Sequence, residues 1–188
     1  MKWTHPLEAS DPVGGKLAAI AGKIAKLEAE ARALRAGAAH GPVEDFALKR
    51  PDGKTVRLSS LFGKKKQLLL VHNMGKECGY CTMWADGFNA LFKHVEKKAA
   101  FVVANNDAPA DQARVAKARG WAFPMVSARG TELFKTLGFA DGDGNWYPGV
   151  SVLTKTANGT VERYAGAPFG PGDKFNSVFS FFDLLPEA

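Results

Sequence analysis

The chain holds only two cysteines, Cys78 and Cys81, separated by Gly79 and Tyr80. Upstream lies QLLLVHNM (67–74), whose run of large aliphatics suits a central strand buried on both faces. Downstream, Trp84, Phe88, Leu91, Phe92 and Val95 recur at spacings of three and four, the period of a helix. The pair therefore falls at a strand-to-helix junction. Unpaired backbone N–H groups and the helix dipole favour an anion there, and a thiolate is one. An ordinary cysteine, with a pKa near about 8.5, is roughly 3% thiolate at neutral pH, and such positions lower the pKa into the range of about 3.5–7.5. The spacing predicts Cys78 as a nucleophile and Cys81 as a less exposed thiol one turn further in, suited to resolving a mixed disulfide. Lys76 would stabilise the Cys78 thiolate and Glu77 would oppose it.

Other readings of the pair are an inert buried couple or half of a zinc site. Zinc takes four ligands, and beyond the two thiols only His5, His40, His72 and His94 remain, with no second paired motif. Residue 82 is Thr, not the His that haem attachment requires. No metal and no cofactor are expected.

Several elements must hold this junction. Leu17, Ile20, Ile24, Leu27, Ala31 and Leu34 predict a helix over 16–35 with one narrow apolar stripe, available to a second copy of the chain or to the main domain. Residues 1–15 read as loosely ordered, and Gly41-Pro42 ends the helix region. The segment 46–58 reads as a hairpin turning at Asp52-Gly53, and 59–63 as a short helical turn. After the cysteine helix come a buried strand at 99–106 and a helix over 107–119 closed by Gly120. An extended stretch follows at 121–128, where Pro124 argues for a sheet edge. A short helix is expected at 131–137 and a Gly/Asp-rich loop at 138–147. A strand at 150–154 turns through Asn158-Gly159 into 161–164. Asp173 is placed to cap a last helix that buries Phe175, Val178, Phe179 and Phe182. The division is 1–42 for the N-terminal segment and helix and 43–188 for an α/β domain with a mixed sheet covered on both faces.

Composition narrows the function. With 46% apolar residues, 25 Lys and Arg against 19 Asp and Glu, this is an ordinary globular chain with a mild positive excess. The densest basic run, Lys64-Lys65-Lys66, has no interleaved aromatics, so nucleic acid is not expected as a partner. No apolar stretch is long enough to span a membrane, and no secretory leader is visible at the N-terminus. A cytoplasmic location is expected. Asp141, Asp143 and Asn145 mimic a calcium loop, but Trp146 and Val152 stand where Gly and Glu belong.

Four stretches carry a resemblance over nearly the whole chain. They are CGYCTMWADGFN (78–89), GWAFPMVS (120–127), PGVSV (148–152) and FDLLP (182–186). Together they resemble a bacterial thioredoxin-like family catalogued as domain of unknown function 899. The resemblance implies a thioredoxin- or peroxiredoxin-like three-layer α/β sandwich with a mixed central sheet, an N-terminal β-hairpin and the extra N-terminal helix. It implies a dithiol activity with no assigned substrate. Pro148 matches the cis-proline that thioredoxins set opposite the cysteines, so the Tyr147–Pro148 bond is expected to be cis. Pro148, Tyr147, Gly79, Tyr80 and Trp84 are then expected to shape a substrate groove. His72 occupies the place of the buried acidic residue of thioredoxins, where a neutral imidazole could take the Cys81 proton, or could simply be bonded for structure. Departures are Glu77 in place of the usual Trp and Gly-Tyr between the cysteines. Gly75 stands where a peroxiredoxin carries Thr, which weakens a peroxidase reading.

The expectation is a thiol–disulfide oxidoreductase acting on a protein or small-molecule disulfide, with an unidentified electron donor. The alternatives are a non-catalytic thioredoxin-fold protein that dimerises through 16–35, and a thiol-dependent peroxidase.

Overall fold

A computed structural model describes residues 13–37 and 41–186. The expectations for residues 1–12, and the candidates His5 and His40, lie outside the described residues. Two compact units divide at residue 39. The first holds helix α1, Gly14–Gly37. Its stripe residues Leu17, Ile20, Ile24, Leu27 and Leu34 are all exposed.

In the second unit, eight strands form one sheet in the order β1-β8-β7-β4-β5-β6-β2-β3. The strands are β1 (Gly41–Val43), β2 (Ala47–Lys49), β3 (Thr55–Arg57), β4 (Gln67–His72), β5 (Ala100–Asn105), β6 (Met125–Ser127), β7 (Gly149–Lys155) and β8 (Val161–Pro168). Strands β4, β5 and β6 run parallel. Strand β7 pairs antiparallel with both β4 and β8. The helices are α2 (Gly79–Val95), α3 (Pro109–Arg119), α4 (Leu133–Thr136) and α5 (Ser177–Phe182), with a 3-10 turn at Leu58–Phe62.

Strand alternation divides the core into two layers. Val71, Phe101 and Val103 face α2 and α5, packing with Trp84, Phe88, Phe92 and Phe179. Leu68, Leu70, Val102 and Ala104 face the opposite layer, with Leu58, Phe62, Leu133, Phe134 and Phe139. This is the mixed α/β sandwich of the thioredoxin-like class, and the N-terminal hairpin β2–β3 is in place, with Leu48 opposite Val56.

Three expectations are corrected. Strand β6 is not at an edge: it lies between β5 and β2, and Pro124 precedes it, so no ladder donor is lost. Residues 41–43, read as a helix stop, form edge strand β1 against Val161–Arg163. The last helix is capped by Asn176, whose side chain accepts from the Val178 amide. Asp173 instead closes the preceding turn, accepting from the amides of Gly170, Phe175 and Asn176. Only Phe179 of the last helix is fully buried, and Phe182 stays exposed.

Candidate active site

Cys78 is the N-cap of α2, with extended backbone angles (φ −92°, ψ 104°). Its Sγ accepts the Cys81 amide at 3.1 Å, the bond a Ser or Asp oxygen makes at such a position. The Thr82 amide donates to the Cys78 carbonyl at 3.0 Å, closing the first turn. Cys78 is half-buried and Cys81 is buried, and both are free thiols. The Cys81 Sγ accepts the Met74 amide at 3.4 Å. Burial pushes the Cys81 thiol up to about 12. Its hydrogen bond with the Cys78 side chain adds to the rise, and the Met74 amide works against it. The two sulfurs thus differ in kind: one caps the helix and meets solvent, the other is a protonated thiol behind it.

A polar network holds the loop that delivers Cys78. Gly75 has φ +103°, and a Cβ there would lie 2.9 Å from Asp107 Oδ1, so only glycine fits. The Asn73 side chain accepts the Gly75 amide at 2.7 Å and donates to the Cys81 carbonyl at 3.3 Å. Asp107 Oδ2 accepts the Lys76 amide at 2.9 Å and the Asn105 side-chain amide at 3.0 Å. Buried Gln112 donates to Asn105 Oδ1 at 2.6 Å and to the Val126 carbonyl at 2.9 Å. Sequence reasoning missed all four supports. The available signal was a polar cluster, Asn105-Asn106-Asp107, ending an otherwise apolar strand. Lys76 is not a partner of the thiolate: its ammonium lies 2.9 Å from Asp111. The Arg114 and Lys76 hydrogen bonds hold the Asp111 carboxyl below the usual range.

His72 is buried, but on the side of Leu68 and Leu70, away from α2. Its Nε2 lies 2.9 Å from Ser151 Oγ. The ring stacks on Phe139, with centroids 4.0 Å apart, and meets Phe134 edge-on at 5.0 Å. Burial lowers its pKa to about 3, and the Arg163 charge adds to the fall. The structure therefore does not bring His72 to Cys81, and the imidazole is a weak base. Its register partner on β7 is Gly149, where a Cβ would lie 2.2 Å from the Phe139 ring. Glycine at 149 lets that ring lie against the strand and roof the imidazole.

The remaining predicted residues divide. No peptide bond among the described residues is cis, so the Tyr147–Pro148 bond is trans, contrary to expectation. Gly149 pairs with His72, which sets Pro148 across from the Asn73–Met74 stretch beside Cys81. Tyr147 is exposed, and its hydroxyl donates to Asp141 at 2.8 Å. Gly79 and Tyr80 are exposed at the helix start. Trp84 does not line a groove: it is 3% exposed and packs among Tyr80, Phe169 and Phe179. No cluster of three or more metal-ligating side chains occurs among the described residues, and no described helix is long and apolar enough to cross a membrane.

Comparison with known proteins narrows the class. The model of the AhpC/TSA family matches residues 40–163, from just before β1 into β8. This chain belongs to the AhpC/TSA family. The narrower resemblance to domain of unknown function 899 has no matching family model. No curated protein matches. Among solved structures, this AhpC/TSA member is similar to the peroxidoxin BcpB of Mycobacterium tuberculosis, at 27% identity and a TM-score of 0.52, over 64% of this chain and 80% of that one. Peroxiredoxin Q of Xanthomonas campestris superposes at a TM-score of 0.56 with 18% identity, over 74% and 90%. A PrxQ mutant of Xylella fastidiosa superposes at 0.59 with 13% identity, over 76% and 90%. The last two establish the thioredoxin-like fold. Family membership supports an oxidoreductase.

Proposed function

We propose that this AhpC/TSA member is a thiol–disulfide oxidoreductase working through Cys78 and Cys81 in a reducing compartment, the cytoplasm, and that it belongs to the narrower group its motifs resemble. The observation that carries this reading is the asymmetry of the pair: a solvent-reached sulfur capping α2 and a buried, protonated thiol one turn inside. The Cys78 thiolate attacks a substrate disulfide. One S–S bond breaks, a Cys78–substrate mixed disulfide forms, and the other substrate sulfur leaves as a thiolate. Cys81 then attacks Cys78, losing its proton as the second substrate thiol takes one up. Two electrons have passed to the substrate, and the chain holds a Cys78–Cys81 disulfide. An external dithiol donor reduces that bond and restores both thiols.

Family membership favours a second reading, reduction of a peroxide. There Cys78 would take an oxygen from the peroxide, releasing an alcohol or water and becoming a sulfenic acid. Cys81 would condense with it, releasing water, to give the same disulfide. Gly75, three residues before Cys78, brings no hydroxyl to a bound peroxide, which supports the first reading.

The two separate in variants. For disulfide exchange, Cys81→Ser traps a mixed disulfide with a peptide substrate and Cys78→Ser is inert. A Cys81→Ser protein that consumes peroxide at the wild-type first-turnover rate, yet forms no mixed disulfide, assigns the peroxidase reading instead.

A further inference from the structure

A second feature opens at the edge of the sheet where the cysteine loop also leaves β4. Strands β5 and β6 end at Asn105 and Ser127, and beyond them a pocket of about 490 Å³ is lined by Asn106, Arg129, Phe134, Lys135, Ala140 and Trp146. That volume lies within the range of small-molecule sites. Two chain segments lead from its lining toward the cysteine loop. Asn106 adjoins Asp107, whose carboxylate holds the Lys76 amide two residues before Cys78. On the other wall, Trp146 runs directly into Tyr147 and Pro148, the segment across from Met74 and Cys81.

The lining leaves two polar groups without partners. The Asn106 side-chain carbonyl oxygen is buried and accepts no hydrogen bond. The Arg129 guanidinium makes no ion pair or hydrogen bond with any described residue. The other charges are committed. Lys135 pairs with Glu132 at 3.7 Å. Asp141 accepts from the Asp143 and Asn145 amides, the Asn145 side chain and the Tyr147 hydroxyl. Those bonds, the Asn145 side chain first, hold its carboxyl down to about 2, so it stays a satisfied anion. Phe134 and Trp146, with ring centroids 6.2 Å apart, supply an apolar wall.

We infer that this pocket is a substrate subsite that selects small disulfides carrying a peptide-type carboxylate. Arg129 takes the carboxylate through its planar fork. The aromatic wall covers the carbon chain, and the sulfur reaches toward Cys78 past Tyr147. The inference rests on the proposed disulfide exchange for its substrate, and the binding itself can be read without any reaction.

The test has two arms. In the first, S-methyl-cysteinylglycine, which has no reactive sulfur, and its C-terminal amide are titrated into the full-length protein and followed by calorimetry. The acid binds about five- to tenfold more tightly than the amide, the scale of one charge-assisted bond at an open site. In Arg129→Gln that difference disappears. In the second arm, cysteinylglycine disulfide is the substrate and bis(2-hydroxyethyl) disulfide the neutral control. Arg129→Gln raises KM for the first by a similar factor and leaves turnover of the second unchanged. Equal binding of acid and amide, no binding of either, or a preference that survives Arg129→Gln overturns the subsite. Arg129-dependent binding without turnover of any disulfide sustains the subsite and overturns the exchange reaction. Cys78-dependent turnover without carboxylate preference does the reverse.

Discussion

Lowering the pH from 7 to 5 should destabilise this protein by about 2 kcal/mol through His72 alone. The imidazole is fully buried, with its pKa lowered from 6.5 to about 3. Above pH 6.5 it is neutral in both the folded and unfolded chains and contributes no pH dependence. As the pH falls below 6.5 the unfolded chain takes up the proton and the folded chain does not, so stability falls. The slope approaches about 1.4 kcal/mol per pH unit until the folded pKa is reached. Between pH 7 and pH 5 this integrates to about 2 kcal/mol, enough to matter against a typical total of about 5–15 kcal/mol. The structural cause is specific. Nδ1 has no hydrogen-bond partner, Phe139 and Phe134 enclose the ring, and Arg163 adds a like charge to a protonated imidazole. Urea unfolding at pH 7, 6 and 5, on wild type and His72→Gln, measures it. Wild type loses the stated amount and the variant shows a nearly flat profile over this window, where carboxylates contribute little. Parallel profiles for the two proteins, or a wild-type loss below about 0.5 kcal/mol, would refute the assignment of a neutral, sealed imidazole.

Three further outcomes follow from the site and its surroundings. With its pKa near 12, Cys81 is thiolate in roughly one molecule in 10⁴ at pH 8, so iodoacetamide should add once, at Cys78, by peptide mass mapping; comparable labelling of Cys81 contradicts its burial. Gly75→Ala forces a strained φ and a 2.9 Å contact with Asp107, and should cost about 1–3 kcal/mol of stability together with most of the thiol reactivity, read by unfolding and alkylation rates; a variant like wild type removes the loop from the argument. Asp86 accepts from Arg119 and from Trp121 Nε1 at 2.8 Å, linking α2 to the end of α3. The Arg119 hydrogen bond holds its carboxyl below the usual range, so its contribution is present above about pH 4 and fades as acid protonates it. The site is half exposed, so Asp86→Asn should cost no more than about 1 kcal/mol at pH 7, and progressively less as the pH is lowered below about 4, by thermal unfolding.

The elements around the cysteines were legible because their patterns are local. The aliphatic run of β4, the three-and-four spacing of α2 and the capping place of Cys78 depend on neighbours in sequence. Strand β1 was missed because Gly41-Pro42 reads as a helix stop, and only β8, about 120 residues away, gives it a partner. Pro124 misled for a related reason: whether a proline costs a ladder bond depends on where the strand begins. His72 was placed correctly as a buried histidine on the active-site strand, but the layer it faces depends on sheet parity and on Phe134 and Phe139, far away in sequence. The four polar supports of the cysteine loop form a network across three elements, and no single segment announces it. The thioredoxin resemblance predicted a cis Tyr147–Pro148 bond, and the bond is trans, because a matching proline position does not fix the isomer.

Gly149 and Phe139 amount to one shape divided between two positions: the hydrogen at one is the vacancy the ring at the other occupies. Enlarging 149 expels the ring and lets water onto the histidine, while trimming 139 opens a hole beneath the strand. Each change alone should be severe, and trimming 139 relieves only part of the clash of a larger residue at 149, because the Ala167 carbonyl oxygen also lies 2.5 Å from where its Cβ would sit. The acid sensitivity that the covered imidazole confers therefore travels with that couple rather than with the cysteines.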